Sequence, residues 1–104
     1  MHKLWVGLFL ISNLAAIPLA GANEALMDKA GCVACHRIDI KYNGPAFKAV
    51  AARYRNDPDA AAQLFVKVRE GGDGVWGDLP MVPNGPNKIS DADLQTLIAW
   101  ILSL

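Results

Sequence analysis

The chain predicts an all-α fold of about four helices. Four segments carry apolar residues at helical spacing, each with a start or stop signal. No segment shows the two-residue alternation of a half-buried strand. The remaining stretch, Gly71 to Lys88, holds five glycines and three prolines and has neither period.

The first helix is expected over Glu24–Ala30, with Ala25, Leu26, Met27 and Ala30 apolar and Gly31 as its stop. The second is expected from Pro45, a favoured first helical residue, to about Arg55. Its Phe47, Val50, Ala51 and Tyr54 fall on one face. The third starts from Asp57 as cap with Pro58 next, and carries Ala61, Leu64, Phe65 and Val68 before Gly71-Gly72 stops it. The fourth starts at Ser90, with Asp91 and Asp93 in the first turn, where they suit the helix dipole. Leu94, Leu97, Ile98, Ile101 and Leu102 make its buried stripe, with Trp100 beside it. A loop as long as Gly71–Lys88 is unusual in a small domain unless it is functional. It must wrap something.

Residues 1–22 read as a secretory signal peptide. Met1–Lys3 is weakly basic, Leu4–Leu19 is almost wholly apolar, and Ala20-Gly21-Ala22 supplies the small residues of a cleavage site. A membrane anchor is the rival. It needs about 20 apolar residues, and Ser12, Asn13 and Pro18 interrupt a shorter run. Cleavage leaves 23–104 as a single domain. A domain of that size buries only about 60–65% of its unfolded surface, so its protein-only core is modest. The 10 basic and 10 acidic residues balance. Losing Lys3 leaves one excess negative charge, which gives no footprint for nucleic acid or for an anionic membrane surface.

The chemistry sits in Cys32-Val33-Ala34-Cys35-His36. A disulfide here would close a very small loop and remove little chain entropy. A thioredoxin-like dithiol needs a βαβ setting, and none is present. Zinc needs three or four protein ligands, and these three are crowded into five residues. Cys-X-X-Cys-His is instead the pattern of covalent c-type haem attachment. The two sulfurs add to the vinyl groups on one porphyrin edge, and the chain then turns His36 under the iron as proximal ligand. Export fits, because these thioethers are made outside the bacterial cytoplasm.

The other side of the iron decides the chemistry. The chain has two histidines, and His2 leaves with the leader, so a second histidine ligand is ruled out. Met27 lies in the first helix and reads as core, since flexible methionine fills gaps. Met81, in "LPMVPN", lies in a loop stiffened by Pro80 and Pro83 and is the favoured sixth ligand. An open distal position, as in a haem enzyme, is the remaining option. A soft neutral sulfur opposite imidazole raises the potential and closes the iron to oxygen, which suits electron transfer.

With these residues in place, the chain resembles the small bacterial class I cytochromes c of the cytochrome c-551/c-552 (c8) type. The resemblance covers Asn23 to Leu104. It is carried by "GCVACH", "NGPAFK", "GVWGDLPMVPN" and "DLQTLIAWILSL". It implies a cytochrome c fold wrapped around one covalently attached haem c, with first and last helices crossing and Met27 packed near Leu97 and Trp100. It implies thioethers at Cys32 and Cys35 and axial ligands His36 and Met81. By the same resemblance, the Pro45 carbonyl accepts the Nδ1 proton of His36, and Trp76 donates its indole N–H to a haem propionate. Asn84 hydrogen-bonds near the Met81 sulfur, although turn chemistry in "PNGPN" also explains it. Lys67 stands where a basic residue lies near a propionate, and equally reads as a solvated lysine. Two positions depart from close members. Phe47 stands where a tyrosine is common, and Asp78 brings a negative charge close to the methionine loop.

The expected function is a soluble, monomeric, periplasmic one-electron carrier, not an enzyme. Its partners would be a donor cytochrome or membrane complex and a terminal reductase or oxidase, with a cytochrome cd1-type nitrite reductase as one acceptor. The alternative is a haem enzyme or gas-sensing domain with a labile Met81. Docking is expected around Val33, Ala34, Pro45, Val82 and Pro83, on a near-neutral surface with weaker salt dependence than a strongly basic cytochrome would show.

Overall fold

A computed structural model describes residues 19–104, together with His2 and Gly7. The apolar leader read over Leu4–Leu19 otherwise lies outside the described residues. Four α-helices and one 3₁₀ turn follow in order: α1 (Leu19–Lys29), the 3₁₀ turn Cys32–Ala34, α2 (Phe47–Tyr54), α3 (Ala60–Glu70) and α4 (Asp91–Ser103). Among the described residues there is no strand, only an isolated antiparallel bridge between Gly72 and Met81. None of these helices is long and apolar enough to cross a membrane. The all-α expectation is borne out.

Helix α4 is the hub, packing against α1, α2 and α3. Leu94, Leu97, Ile98 and Ile101 are buried along it and join Met27 and Ala30 of the first segment, Phe47 and Val50 of α2, and Ile89. Trp100 packs against this cluster from the side. The i, i+3, i+4, i+7 spacing of the α4 residues puts them on one stripe. Met27, 7% exposed, is therefore a core residue.

Three helices start elsewhere than expected, and for α2 and α3 the start is set by partners outside the helix. Helix α1 starts at Leu19, before the expected Glu24, and runs through the predicted cleavage point. Helix α2 starts at Phe47, not Pro45, because Phe47 and Lys48 donate their N–H groups to the carbonyls of Arg37 and Ile38 at 2.9 and 3.0 Å. Helix α3 starts at Ala60. Asp57 still organises its entry, but by accepting the Asp59 N–H at 2.9 Å in an Asx turn that uses up the first residues. Helix α4 is capped as expected, Ser90 Oγ accepting the Asp93 N–H at 3.1 Å.

Candidate functional site

The residues after α1 turn sharply. Gly31 ends the helix, Cys32–Ala34 forms a 3₁₀ turn, and the N–H groups of Cys35 and His36 both reach the Cys32 carbonyl, at 3.1 and 2.9 Å. This coil presents Cys35 on the surface and leaves Cys32 half-buried. Burial pushes the Cys32 thiol up, against the pull of a backbone hydrogen bond and of nearby Lys88. Arg37 ties the coil from outside, with Nη1 donating to the carbonyls of Val33 and of His36, the latter at 2.9 Å.

His36 is fixed on three counts. Its Nδ1 lies 2.8 Å from the carbonyl oxygen of Pro45. A carbonyl only accepts, so Nδ1 carries the proton and Nε2 keeps its lone pair for a metal. Its ring stacks on Phe47 at 5.0 Å between centroids and 23° between planes. The backbone of Gly44 closes against the ring, with no room for a side chain: a Cβ there would meet His36 Cε1 at 2.5 Å. Gly44 is itself held by its N–H donating to the Cys35 carbonyl at 2.7 Å. Phe47, where a tyrosine hydroxyl was the expected loss, thus contributes a buried aromatic face.

Met81 is placed by the end of α3. Its N–H donates to Gly72 and its carbonyl accepts from Gly72, both at 2.9 Å. Asn84 N–H donates to the Val68 carbonyl at 3.0 Å. The bond to Val68 engages a carbonyl that the C-terminus of α3 leaves open, so the loop completes α3 while α3 shapes the loop. The side-chain amide of Asn84 donates to the Val82 carbonyl at 2.9 Å.

Cys32, His36, Met81 and Asn84 all line one apolar cleft of about 410 Å³, including its open mouth. Phe47, Val68, Leu94 and Leu97 supply apolar walls. Met27 does not line it. Pro45 joins through its bond to His36. Cys35, Trp76 and Lys67 lie outside the lining. Trp76 is 40% exposed and carries the Arg53 guanidinium 5.2 Å from its ring centroid. The Lys67 ammonium sits beside Gly72, where an added Cβ would come within 3.2 Å of it. Arg37, Gly44 and Arg69 were not singled out from sequence. Gly44 had a signal in "NGP", next to the proline that holds His36. Arg37 serves the neighbouring carbonyls of Val33 and His36, whereas Arg69 depends on the distant carbonyls of Asn84 and Ile89 and carries no local mark.

The donor set matches a porphyrin. It offers a thiol at the edge of an apolar slot, a second thiol one turn away, an oriented imidazole and a thioether in the same cleft. A family model described as Cytochrome c matches residues 22–104. The chain belongs to the cytochrome c family. It is 43% identical over 104 residues to cytochrome c-552 of Nitrosomonas europaea, covering 100% of this chain and 99% of that protein. It is 48% identical over 80 residues to cytochrome c-551 of Pseudomonas aeruginosa, covering 77% of this chain and 74% of that one. The crystal structure of wild-type Nitrosomonas europaea cytochrome c552 superposes with a TM-score of 0.71 at 45% identity, covering 77% of this chain and 96% of that one. This cytochrome c is thus a small class I member of the c-551/c-552 type, and it carries one covalently bound haem c.

Proposed function

We propose that this cytochrome c is a periplasmic one-electron carrier whose haem is anchored by Cys32 and Cys35 and ligated by His36 and Met81. The observation that carries the reading is that Cys32, His36 and Met81 line one apolar cleft together. When bound, the haem supplies an iron that cycles between ferrous and ferric states. The chain's own residues do the rest. Pro45 and Gly44 hold the imidazole in one orientation, so Nε2 is presented without rearrangement. The Gly72–Met81 bridge holds the thioether side. The apolar walls exclude water, which destabilises the higher charge and favours the reduced state. Filled axial positions leave small molecules no easy entry, so electron exchange is the chemistry left.

Asn84 orients Met81 through the loop backbone at Val82. Trp76 serves as a propionate donor, supported by its partial exposure and by the cation on its ring. Lys67 serves as a second propionate partner, supported by its place in the last turn of α3 with its ammonium beside Gly72. Residues 1–22 direct export and are then cleaved, leaving the domain 23–104, which works as a monomer. Its donor is a cytochrome or membrane complex and its acceptor a terminal reductase or oxidase, cytochrome cd1-type nitrite reductase among them.

Spectra of both oxidation states test the ligand set. The ferric protein is expected to show the weak near-infrared band of iron–sulfur ligation, and Met81→Ala to lose it. Ferrous wild type should bind carbon monoxide slowly and Met81→Ala rapidly. A wild type without the band, or one that takes up carbon monoxide at once, would instead support an enzyme or gas sensor.

A further inference from the structure

Met81 is held from two sides, and a side chain outside the haem cleft closes the second hold. At Met81 itself, the restraint is the bridge to Gly72, made by its own N–H and carbonyl. After it, the loop arm returns to α4 across the side chain of Arg69, which projects from α3. That side chain is only 14% exposed. Its Nη1 donates to the carbonyls of Ile89 at 2.8 Å and of Asn84 at 3.2 Å. Its Nη2 donates to Asp91 Oδ1 at 2.6 Å. Its guanidinium lies 5.2 Å from the Phe65 ring centroid.

We propose that Arg69 is a positioning residue for the sixth iron ligand: its guanidinium latches the loop arm after Met81 to the start of α4 and keeps the methionine face closed. The proposal rests on Met81 being that ligand. Ile89 is buried in the core and is the fixed end of the latch. Asn84 is the loop end, which is also tied to α3 by its N–H donating to the Val68 carbonyl at 3.0 Å. It lies three residues after Met81, a span of at most about 10 Å, so fixing it bounds how far Met81 can withdraw. Capping α4 does not account for Arg69, since Ser90 already caps that helix. The planar fork of an arginine can serve several acceptors at fixed angles, whereas the point charge of a lysine cannot. Breaking the latch removes charge-assisted bonds to Asn84 and Ile89 and leaves the Gly72 bridge and the Val68 bond intact. Loop opening should then rise roughly 10- to 100-fold.

The test uses the haem-loaded wild type, Arg69→Gln, Arg69→Lys and Asp91→Asn. Three quantities are compared: the near-infrared sulfur band during denaturant titration, the rate of carbon monoxide binding to the ferrous protein, and the global unfolding midpoint from helix circular dichroism. Arg69→Gln is expected to lose the band well before the helices melt and to bind carbon monoxide about tenfold faster or more. Arg69→Lys should fall between it and wild type. Asp91→Asn, which keeps both carbonyl bonds, should stay near wild type. If Arg69→Gln does not yield folded holoprotein, Arg69→Lys decides by the same readouts. A lowered unfolding midpoint with unchanged band loss and unchanged carbon monoxide rate would overturn the proposal. A wild type lacking the band would instead overturn the Met81 assignment itself.

Discussion

Gly44 shows how little freedom the histidine side has. A Cβ there would lie 2.5 Å from His36 Cε1, 2.8 Å from Nδ1 and 3.1 Å from Nε2. The ring is already stacked on Phe47 and tied to Pro45, so it cannot yield without losing one of them. Gly44→Ala is therefore expected to cost about 1–3 kcal/mol, the usual range for overpacking. It should also reorient the imidazole. Denaturant unfolding reads the first effect, and the paramagnetically shifted His36 ring resonances of the ferric protein read the second. Unchanged resonances would mean that the Gly44 backbone moves away and the ring does not. Phe47 belongs to the same unit. Beyond His36 it meets Trp100 edge-on, with centroids 6.3 Å apart and planes at 83°, so the imidazole is buttressed all the way to α4.

At the scale of elements, the end of α3 and the methionine loop are one construction. Gly71 has φ +69°, and a Cβ there would collide with the Met81 carbonyl and come within 2.9 Å of Pro83 N. Gly74 has φ +96°, and a Cβ there meets nothing. Alanine at either position pays for a positive-φ backbone, about 1–3 kcal/mol. Only Gly71→Ala also pushes the loop away. It is expected to destabilise clearly more than Gly74→Ala in thermal or denaturant unfolding and, unlike it, to weaken the sulfur band. Much of this scale was legible in the sequence. Ser90 and the apolar stripe of α4 are local signals, and they read correctly except at Leu102, which is only half-buried. The Cys-X-X-Cys-His run announces its chemistry because attachment needs that spacing. The pairing of Gly72 with Met81 was not legible, because it joins residues with no shared period. The start of α2 was missed for a related reason: its first N–H groups are served by Arg37 and Ile38, not by a capping side chain. Arg69 looked like any helical arginine until its acceptors, as far along as Asp91, were in place.

At the scale of the whole molecule, the near-neutral charge and the exposed apolar loop describe how the carrier meets other proteins. Val82 is 60% exposed and Leu79 64%, while Ala34 and Cys35 are exposed on the attachment side. Val33 and Pro45 are half-buried, so the expected docking rim is led by Val82 and its neighbours in the loop. Electron self-exchange between ferric and ferrous copies tests this without any choice of partner, since each copy presents the same face. If that face mediates exchange, Val82→Asp brings two like charges together in every productive encounter. At about 4 Å in water that repulsion is about 1 kcal/mol, or roughly a fivefold slower rate. Added salt should restore much of the loss, because it screens exposed charges, whereas the wild-type rate should change little with salt. Val66→Asp is the control. Val66 is 50% exposed, and at two residues from cleft-lining Val68 it projects roughly 200° around α3 from that residue. The same added charge there should leave self-exchange near the wild-type value in line-broadening NMR. Equal slowing in both variants would trace the effect to net charge and remove Val82 from the docking face.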